Sequence, residues 1–285
     1  MLEELKFHLD DLIKLLWEIG DFQLKEQAQV KAQSKSLKSK SNFEEAWLNN
    51  EIFSEVDLLS EKRLIEFFDS RFDSGDFSFI TEESHTETSP QSKYYLIIDP
   101  LDGTKPYLKG KKTFGISLGI CTNENLIFGC NYYPAFNQLI YAFHHVKGIY
   151  NQDHKQIIMP QIWASKCSVT SQFSYLLKDA SAMEDFLESE LELTFVVIPD
   201  CAIYRFKLML EGLLTAYFSE NLFIWDIGPS MLLMEKAGIS MGNPLTGSTV
   251  VVRDLLTPPF RQTVFLAAPK NKFDYICSKF INFFP

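Results

Sequence analysis

The amino-acid sequence predicts a protein of the α/β class, in which layers of helices cover β-sheets. Three observations indicate this class. The chain opens with apolar residues that recur at the spacing of an amphipathic helix. Short apolar runs rich in β-branched and aromatic residues then alternate with further helical patterns. Finally, 46% of the 285 residues are hydrophobic, which is enough to fill a large core.

We expect one domain over residues 1–285, with a first lobe over about residues 1–153 and a second over about residues 154–285. The first lobe is predicted to begin with two amphipathic helices, at residues 2–33 and 43–68. Between them, residues 31–41 are polar and basic and predict a loop, which is either solvated or able to offer a lysine to a ligand. Strands are predicted at residues 77–80, 94–98, 113–121, 126–133, 138–143 and 148–150.

The second lobe is predicted to continue the alternation of strands and helices. Asp226 stands at the start of one of its helices, where an aspartate can cap backbone N–H groups. The predicted strands are residues 195–198, 215–218, 249–252 and 264–268, and the predicted helices are residues 202–214, 225–237 and 270–281.

The composition excludes several classes of partner. The formal net charge of −10 argues against binding to a nucleic-acid polymer, because its phosphates repel an acidic surface. No run of about eighteen apolar residues is present, so we expect no membrane span. The five cysteines lack C-x-x-C spacing, which favours reduced thiols, and the first residues do not resemble a signal peptide. We therefore expect a cytoplasmic protein.

One stretch of the sequence combines a buried strand with two carboxylates. Residues 94–108 read YYLIIDPLDGTKPYL, and the first five of them predict the strand. Asp99 follows at the end of the strand, where Pro100 favours an extended backbone, and Asp102 lies on the turn that comes next. The two carboxylates can therefore converge on one point, and hard oxygen ligands of this kind suit Mg²⁺ or Mn²⁺.

The turn after these aspartates is suited to a phosphate group. The backbone N–H groups of Gly103 and Thr104 can face the same point as the carboxylates and donate to phosphate oxygens. The pattern thus predicts a metal-dependent phosphoryl-transfer site, and a surface turn is the alternative. An aspartyl-nucleophile phosphatase is excluded, because its motif D-x-D-G-T needs an aspartate where Pro100 stands.

The string D-P-L-D-G-T-K resembles the signature of the inositol monophosphatase superfamily of Mg²⁺-dependent, lithium-sensitive phosphomonoesterases. It is most similar to the 3'(2'),5'-bisphosphate nucleotidase branch, in which a lysine, here Lys105, follows the threonine. The resemblance extends over roughly residues 43–268. It implies a layered αβαβα sandwich of the inositol monophosphatase and fructose-1,6-bisphosphatase type, inhibition by Li⁺, and an assembly that is commonly a homodimer.

Two further motifs complete the metal site that the resemblance implies. The strings F-I-T-E-E-S and W-D resemble the segments that supply the remaining ligands in this family. Two or three Mg²⁺ ions per site are implied, with Asp99 shared between two of them. Glu82 and Thr104, together with Asp57 of the segment S-E-V-D, are implied to orient or deprotonate the attacking water. The implied metal ligands are Glu82, Asp99, Asp102, Asp226 and the carbonyl oxygen of Leu101.

The substrate side of the sequence departs from the family pattern. Where the family carries G-[ST]-[AS], this chain carries an aspartate and a cysteine, and Ser219 stands where inositol phosphatases have a glutamate. The resemblance therefore implies substrate contacts by position alone. They are Lys105, Asp200, Cys201, Ala202, Ser219 and Glu220.

Three functions remain open at this point. The lysine after D-G-T favours a 3'(2'),5'-bisphosphate nucleotidase, which would convert adenosine 3',5'-bisphosphate to AMP and phosphate. The twelve residues between Gly212 and Trp225 favour an inositol or sugar phosphatase. The altered segment around Asp200 is the one feature that favours a protein that binds a phosphorylated metabolite without hydrolysing it. In each case the partner is a small phosphorylated metabolite.

Overall fold

A computed structural model describes residues 2–37, 51–72, 75–84, 92–170 and 180–284. Within these ranges, two β-sheets are covered and separated by helices. The layered α/β fold predicted from the sequence is therefore confirmed. None of the described helices combines the length and the apolarity needed to cross a membrane. All five cysteines are free and buried.

The chain begins with helices α1 (Leu2–Phe7), α2 (Leu9–Leu37) and α3 (Glu51–Arg71). The single helix predicted over residues 2–33 is thus interrupted at His8 and extends further than expected. The prediction of a loop over residues 31–41 is wrong as far as Leu37, because alanine, glutamine and lysine in this stretch favour helix. The rest of that loop, and the predicted start of the second helix at residue 43, lie outside the described residues.

The first sheet contains strands β1 to β7 in their order along the chain. Strands β1 and β2 are parallel, and each later strand is antiparallel to its neighbour. Because the sheet extends to Ile157, it passes the boundary expected between the lobes at residue 153. The strands are β1 (Phe77–Thr81), β2 (Tyr94–Asp102), β3 (Gly115–Cys121), β4 (Leu126–Tyr133), β5 (Gln138–Phe143), β6 (Ile149–Asn151) and β7 (Gln156–Ile157).

Strand β2 is longer than the sequence predicted. Asp99 and Asp102 both lie within it, and they pair with Ser117 and Gly115 of β3 across a local shift of register. The prediction that the strand ends before Asp99 is therefore wrong. An irregularity of this kind can accommodate proline, which has no N–H group to donate to the ladder. The turn begins only at Gly103, whose φ of 88° is in the left-handed region.

The second sheet lies later in the chain and has the order β11, β12, β10, β8, β9. Its strands are β8 (Lys166–Val169), β9 (Thr194–Phe195), β10 (Ala216–Phe223), β11 (Ile239–Gly242) and β12 (Arg261–Pro269). The remaining helices are α4 (Thr104–Leu108), α5 (Ala180–Ser189), α6 (Ala202–Leu210), α7 (Ile224–Lys236), α8 (Val252–Leu255) and α9 (Lys270–Phe283).

Two strand predictions in the second lobe are wrong. The strand predicted at residues 195–198 ends at Phe195, and the side chain of Val197 is 86% exposed. The strand predicted at residues 249–252 is reduced to one bridge between Thr249 and Gly242. An apolar run in the sequence does not show whether a neighbouring strand is available to pair with it. Without such pairing, the run does not form a strand.

Helix α7 packs closely against the first sheet. Pro229 within this helix lies against two glycines, Gly119 of β3 and Gly129 of β4. A methyl group at Gly119 would come within 3.0 Å of the Pro229 Cα atom, and one at Gly129 would collide with the Pro229 carbonyl group. The two glycines therefore allow the helix to approach the sheet, which places the start of α7 near the end of β2.

We expect the substitution Gly129→Ala to lower the free energy of unfolding by about 1–3 kcal/mol, because the added methyl group overpacks the contact with Pro229. Urea unfolding measures this change. Gly75→Ala is the matched control, because a Cβ atom there meets nothing within 4 Å, and we expect a change of less than about 0.5 kcal/mol. Equal effects of the two substitutions would contradict the packing argument.

Candidate active site

Three carboxylates that are far apart in the sequence converge in the structure. Oxygen atoms of Asp99, Asp102 and Asp226 all lie within 4.8 Å of one another. The first two are buried in β2, with exposed fractions of 1% and 8%, and Asp226 is partly buried on α7. The close packing of α7 on the sheet is what brings the third carboxylate to the other two.

Glu82 adds a fourth carboxyl group to this cluster. It directly follows β1, and its backbone N–H group donates to the carbonyl of Ile98 at 3.2 Å. Because β1 and β2 are parallel, their ends lie side by side and the Glu82 side chain reaches Asp99, with which it forms a hydrogen bond. Such a bond requires that the two carboxyl groups share a proton when no cation is present.

The backbone after Asp99 is held by its own side chains. The N–H group of Leu101 donates to Asp99 Oδ1 at 3.0 Å, and the hydroxyl group of Thr104 donates to the Leu101 carbonyl at 3.2 Å. These two bonds fix the Leu101 peptide next to Asp99, and the role of its carbonyl as a metal ligand stays a prediction. Thr104 is engaged by this carbonyl, whereas the resemblance implied that it acts together with Asp57 and Glu82.

Asp102 links the first sheet to the second lobe. Its Oδ2 atom accepts a hydrogen bond of 2.6 Å from the backbone N–H group of Ile203, near the start of α6. The thiol of Cys201 lies 3.4 Å from the same oxygen. Gly103 permits this approach, because a methyl group there would come within 2.9 Å of the Cys201 Cβ atom.

Asp226 has a position in α7 that differs from the predicted helix cap. It is the third residue of the helix, and its Oδ2 atom accepts a hydrogen bond of 2.7 Å from the N–H group of Phe223. This carboxylate therefore holds the entry of the helix in place, as a residue at this position does in a capping box. The first helical residue is Ile224, one position earlier than the sequence predicted.

Similarity to known proteins shows the family of this chain. The model of the inositol monophosphatase family matches residues 13–277. The chain belongs to the inositol monophosphatase family. It is similar to a fructose-1,6-bisphosphatase/inositol-1-monophosphatase of Aquifex aeolicus, with 28% identity over 217 residues that cover 74% of this chain and 80% of that protein. It is also similar to Nus factor SuhB of Pasteurella multocida, with 26% identity over 197 residues that cover 66% of this chain and 70% of the relative.

The fold of this inositol monophosphatase family member matches solved structures of the same family. An inositol monophosphatase of Thermotoga maritima superimposes with a TM-score of 0.71 over 97% of this chain and 98% of that chain, at 19% sequence identity. The family predicted from D-P-L-D-G-T-K is thus confirmed, and it is a family of Mg²⁺-dependent phosphatases. The nucleotidase branch within it stays a prediction.

Burial dominates the electrostatics of the cluster in this family member. Burial raises the pKa of Asp99 well above its ordinary value, and the charges of Glu82, Asp102 and Asp226 raise it further. Burial likewise raises the pKa of Asp226, with a further contribution from Asp102 and Glu82. For Asp102, burial raises the pKa, and hydrogen bonds from the backbone of α6 oppose this increase. Like charges held together in a low dielectric favour the protonated form unless a cation is bound.

Asp57 on α3 faces the same cluster. It is 4% exposed, and its Oδ1 atom is buried without a hydrogen-bond partner among the described residues. Burial, followed by the charges of Glu83, Glu82 and Glu61, raises its pKa to about 8. For Glu82, burial raises the pKa to about 7, and the hydrogen bond from Asp99 limits the increase. A buried oxygen without a partner is expected where a water molecule or a cation belongs.

The residues implied to contact substrate fall into two groups. Asp200 is at the surface beside the cluster, and its Oδ2 atom lies 3.8 Å from the Lys105 ammonium group. Cys201 and Ala202 are buried next to Asp102 and face the protein rather than an open surface. Burial also raises the pKa of the Cys201 thiol well above its ordinary value.

Ser219 and Glu220 are neighbours on β10 and point to opposite faces of the second sheet. Ser219 is 1% exposed, and its hydroxyl group donates to Thr170 Oγ1 at 3.4 Å. Glu220 is partly exposed, and burial raises its pKa. Position in the sequence therefore does not decide which of the two would meet a substrate.

One charged residue beside the site was not singled out by the sequence. Arg205 on α6 is 3% exposed and lies 3.5 Å from Asp200, with which it forms an ion pair. Its guanidinium group also donates to the carbonyl of Ile198 at 3.1 Å and to the hydroxyl of Ser168 at 3.1 Å. Arg205 therefore holds the altered segment that precedes α6. An arginine among the apolar residues of a helix that also carries Lys207 is the signal that would have indicated it, because a buried charge needs partners.

The raised pKa of Asp57 predicts how the stability of the metal-free protein depends on pH. Between its ordinary pKa of 3.8 and about 8, this carboxyl group carries a proton in the folded state and none in the unfolded state. The contribution of Asp57 to the free energy of unfolding is therefore fully present below pH 4. As the pH rises towards 8, this contribution is lost by at most ~1.4 kcal/mol per pH unit.

We expect the substitution Asp57→Asn to reduce this slope, because the amide does not titrate. The measurement is urea unfolding of the metal-free protein between about pH 5.5 and 8.5. Asp69→Asn, which alters an exposed aspartate of the same helix, is the control and should retain the slope of the original protein. If Asp57→Asn also retains the slope, Asp57 does not bind a proton in the folded state.

Proposed function

We propose that this protein is a Mg²⁺-dependent phosphomonoesterase that hydrolyses a small phosphorylated metabolite with water as the nucleophile. The single observation that carries the proposal is the convergence of Asp99, Asp102 and Asp226 from separate elements within 4.8 Å. Membership of a phosphatase family supports it. The cytoplasmic location and the homodimer stay predictions from the sequence.

The donor set of this cluster fits Mg²⁺. The convergent donors are all carboxylate oxygens, which hard divalent cations prefer. No lysine or arginine among the described residues forms an ion pair with Asp99 or Asp226, and Asp57 Oδ1 has no hydrogen-bond partner there. Glu82, Asp99, Asp102, Asp226 and the Leu101 carbonyl would hold the ions, as the sequence predicted.

When bound, Mg²⁺ would lower the pKa of a water molecule and stabilise the oxygen of the leaving group. The side chains of this protein would supply the remaining steps. Glu82 and Asp57 would accept the proton of the attacking water, because their carboxyl groups lie at the cluster and burial raises the pKa of both above its ordinary value. The backbone N–H groups of Gly103 and Thr104, at the turn after β2, would donate to the phosphate oxygens.

We expect Asp99→Asn to lower kcat/KM by about 10²–10³-fold or more, because a neutral amide at the centre of the cluster removes a charge on which the cations depend. Release of inorganic phosphate in the presence of Mg²⁺ measures the effect. The amide oxygen can still accept the hydrogen bond from Leu101, so we expect the variant to fold. Asp254→Asn on α8, where the side chain is 68% exposed, is the control. Near-original activity of Asp99→Asn would exclude the proposed site.

The leaving group that we propose is a polyol, either inositol or a sugar. The relative from Aquifex aeolicus is named for both kinds of substrate, which supports this choice. Asp200 supports it as well, because a half-exposed carboxylate beside the cluster can accept hydrogen bonds from the hydroxyl groups of a polyol.

The bisphosphate nucleotidase favoured by the sequence is the second candidate. Lys105 supports it, because its side chain is 76% exposed and carries a positive charge beside the proposed phosphate site. In the structure this charge is paired with Asp200, which weakens its attraction for a second phosphate. The balance between Lys105 and Asp200 therefore decides between the two classes of substrate.

We expect Asp200→Asn to raise kcat/KM for adenosine 3',5'-bisphosphate relative to inositol 1-phosphate by about three- to fivefold, the scale of one exposed ion pair. The assay is phosphate release with Mg²⁺ on these two substrates and on fructose 1,6-bisphosphate. Asp153→Asn is a matched control, because Asp153 is 59% exposed and lies 3.9 Å from Lys155, much as Asp200 is 57% exposed beside Lys105. An unchanged ratio would exclude Asp200 as a determinant, and no release on any substrate would favour a protein that only binds the metabolite.

A further inference from the structure

Glu61 on α3 is a buried carboxylate that none of the sequence motifs includes. It lies one helical turn after Asp57, and only 1% of its surface is exposed. Its two oxygens accept hydrogen bonds from the segment that follows β1. The backbone N–H group of Glu83 donates at 3.1 Å to one oxygen, and the hydroxyl group of Ser84 donates to the other.

A buried carboxylate destabilises a fold unless other groups bind it. Among the described residues, no lysine or arginine forms an ion pair with Glu61, and the two donors after β1 are its hydrogen-bond partners. Hydrogen bonds to an ionised acceptor are stronger than neutral ones. The segment after β1 therefore forms strong links with α3 at this point.

These links restrain Glu82 from the side opposite to the sheet. The N–H group of Glu82 donates to the carbonyl of Ile98 in β2 at 3.2 Å. The two residues that follow it both donate to Glu61, Glu83 through its backbone N–H group and Ser84 through its hydroxyl group. Glu82 thus lies between two anchored points, and its carboxyl group is directed at Asp99.

The docking of α3 does not depend on Glu61. The helix also buries Leu64, Phe67 and Phe68 against the first sheet, and all three are at most 5% exposed. The hydroxyl group of Ser60 adds a contact with Gln23 of α2 at 3.2 Å. Removal of the Glu61 charge would therefore release the segment after β1 without detaching the helix.

We propose that Glu61 is a positioning residue for the metal centre, which holds Glu82 in the orientation that a divalent cation requires by binding the two residues that follow it. This inference rests on the proposed function, because it assumes that Glu82 is a ligand. Glu61 touches neither the substrate nor the cation. It acts on the backbone, and its contribution is a preorganised ligand.

The test is calorimetric titration of the metal-free protein with Mn²⁺, in parallel for the original protein and for Glu61→Gln. The glutamine side chain has the same shape and can accept from the Glu83 N–H group while its NH2 group donates to the Ser84 hydroxyl, but both bonds lose the charged acceptor that makes them strong. We expect the Kd for Mn²⁺ to rise by about tenfold, the lower end of the range for residues that support a ligand. Glu66→Gln is the control on the same helix, because Glu66 is 63% exposed, and its Kd should not change.

Ser84→Ala tests the same contact with little risk to folding. The residue is exposed, and the substitution removes only the hydroxyl group that donates to Glu61. We expect a smaller rise in Kd, of about threefold. In phosphate-release assays, both variants should need more Mg²⁺ for half-maximal rate and should recover the original kcat when Mg²⁺ is saturating. General destabilisation of the protein would instead lower kcat at every Mg²⁺ concentration.

The outcomes separate this inference from the proposed function. If the original protein binds Mn²⁺ and both variants bind it equally well, the role of Glu61 is excluded and the metal centre remains. If Glu61→Gln does not fold, an unchanged Kd for Ser84→Ala excludes the role by itself. If the original protein binds no divalent cation, the proposed function fails, and the role of Glu61 fails with it.

Discussion

The site depends on the repulsion between carboxyl groups that the fold forces together away from water. Asp99, Asp102 and Asp226 converge within 4.8 Å, and the pKa of each is raised by burial. A protein can satisfy such a cluster by binding protons or by binding cations, and the two compete for the same oxygens. The binding of a cation would relieve this repulsion, which is the physical basis of the metal site that we propose.

Two close contacts between layers make this convergence possible. Helix α7 approaches the first sheet because Gly119 and Gly129 leave room for Pro229, and the start of the helix then presents Asp226 to the end of β2. On the other side, the Ile203 N–H group donates to Asp102 at 2.6 Å and ties α6 to the same strand. Helix α6 is thus joined to the first sheet at one of the carboxylates, so a shift of this helix would change the site.

Two charge pairs hold the segment that precedes α6. Asp200 is held between the exposed ammonium group of Lys105 and the buried guanidinium group of Arg205. Arg205 also binds the backbone before α6, so the segment that replaces the small residues of the family pattern has a defined conformation. In the function that we propose, the metal ligands and the residues that select the leaving group are therefore different residues.

The sequence alone determined the family, the fold class and the identity of the convergent aspartates. Strings such as D-P-L-D-G-T-K are local, and a buried strand that leads into a turn is recognisable from a few consecutive residues. The strand ends were less predictable. Strand β2 continues to Asp102 because it pairs with β3. The strand expected at residues 195–198 ends at Phe195, and the Val197 side chain is exposed rather than buried.

Only the tertiary structure decided the roles of the residues that act across layers. In the sequence, Glu61 resembles any other glutamate on an amphipathic helix, and only the structure places the segment after β1 against it. Arg205 is likewise one of two cationic residues in α6, and only the structure places Asp200 beside it. The same is true of Ser219 and Glu220, whose opposite directions follow from the pleat of β10. A short sequence pattern reflects interactions between residues that are close in the chain. Burial and pairing depend on segments that are distant in the chain, so no short pattern predicts them.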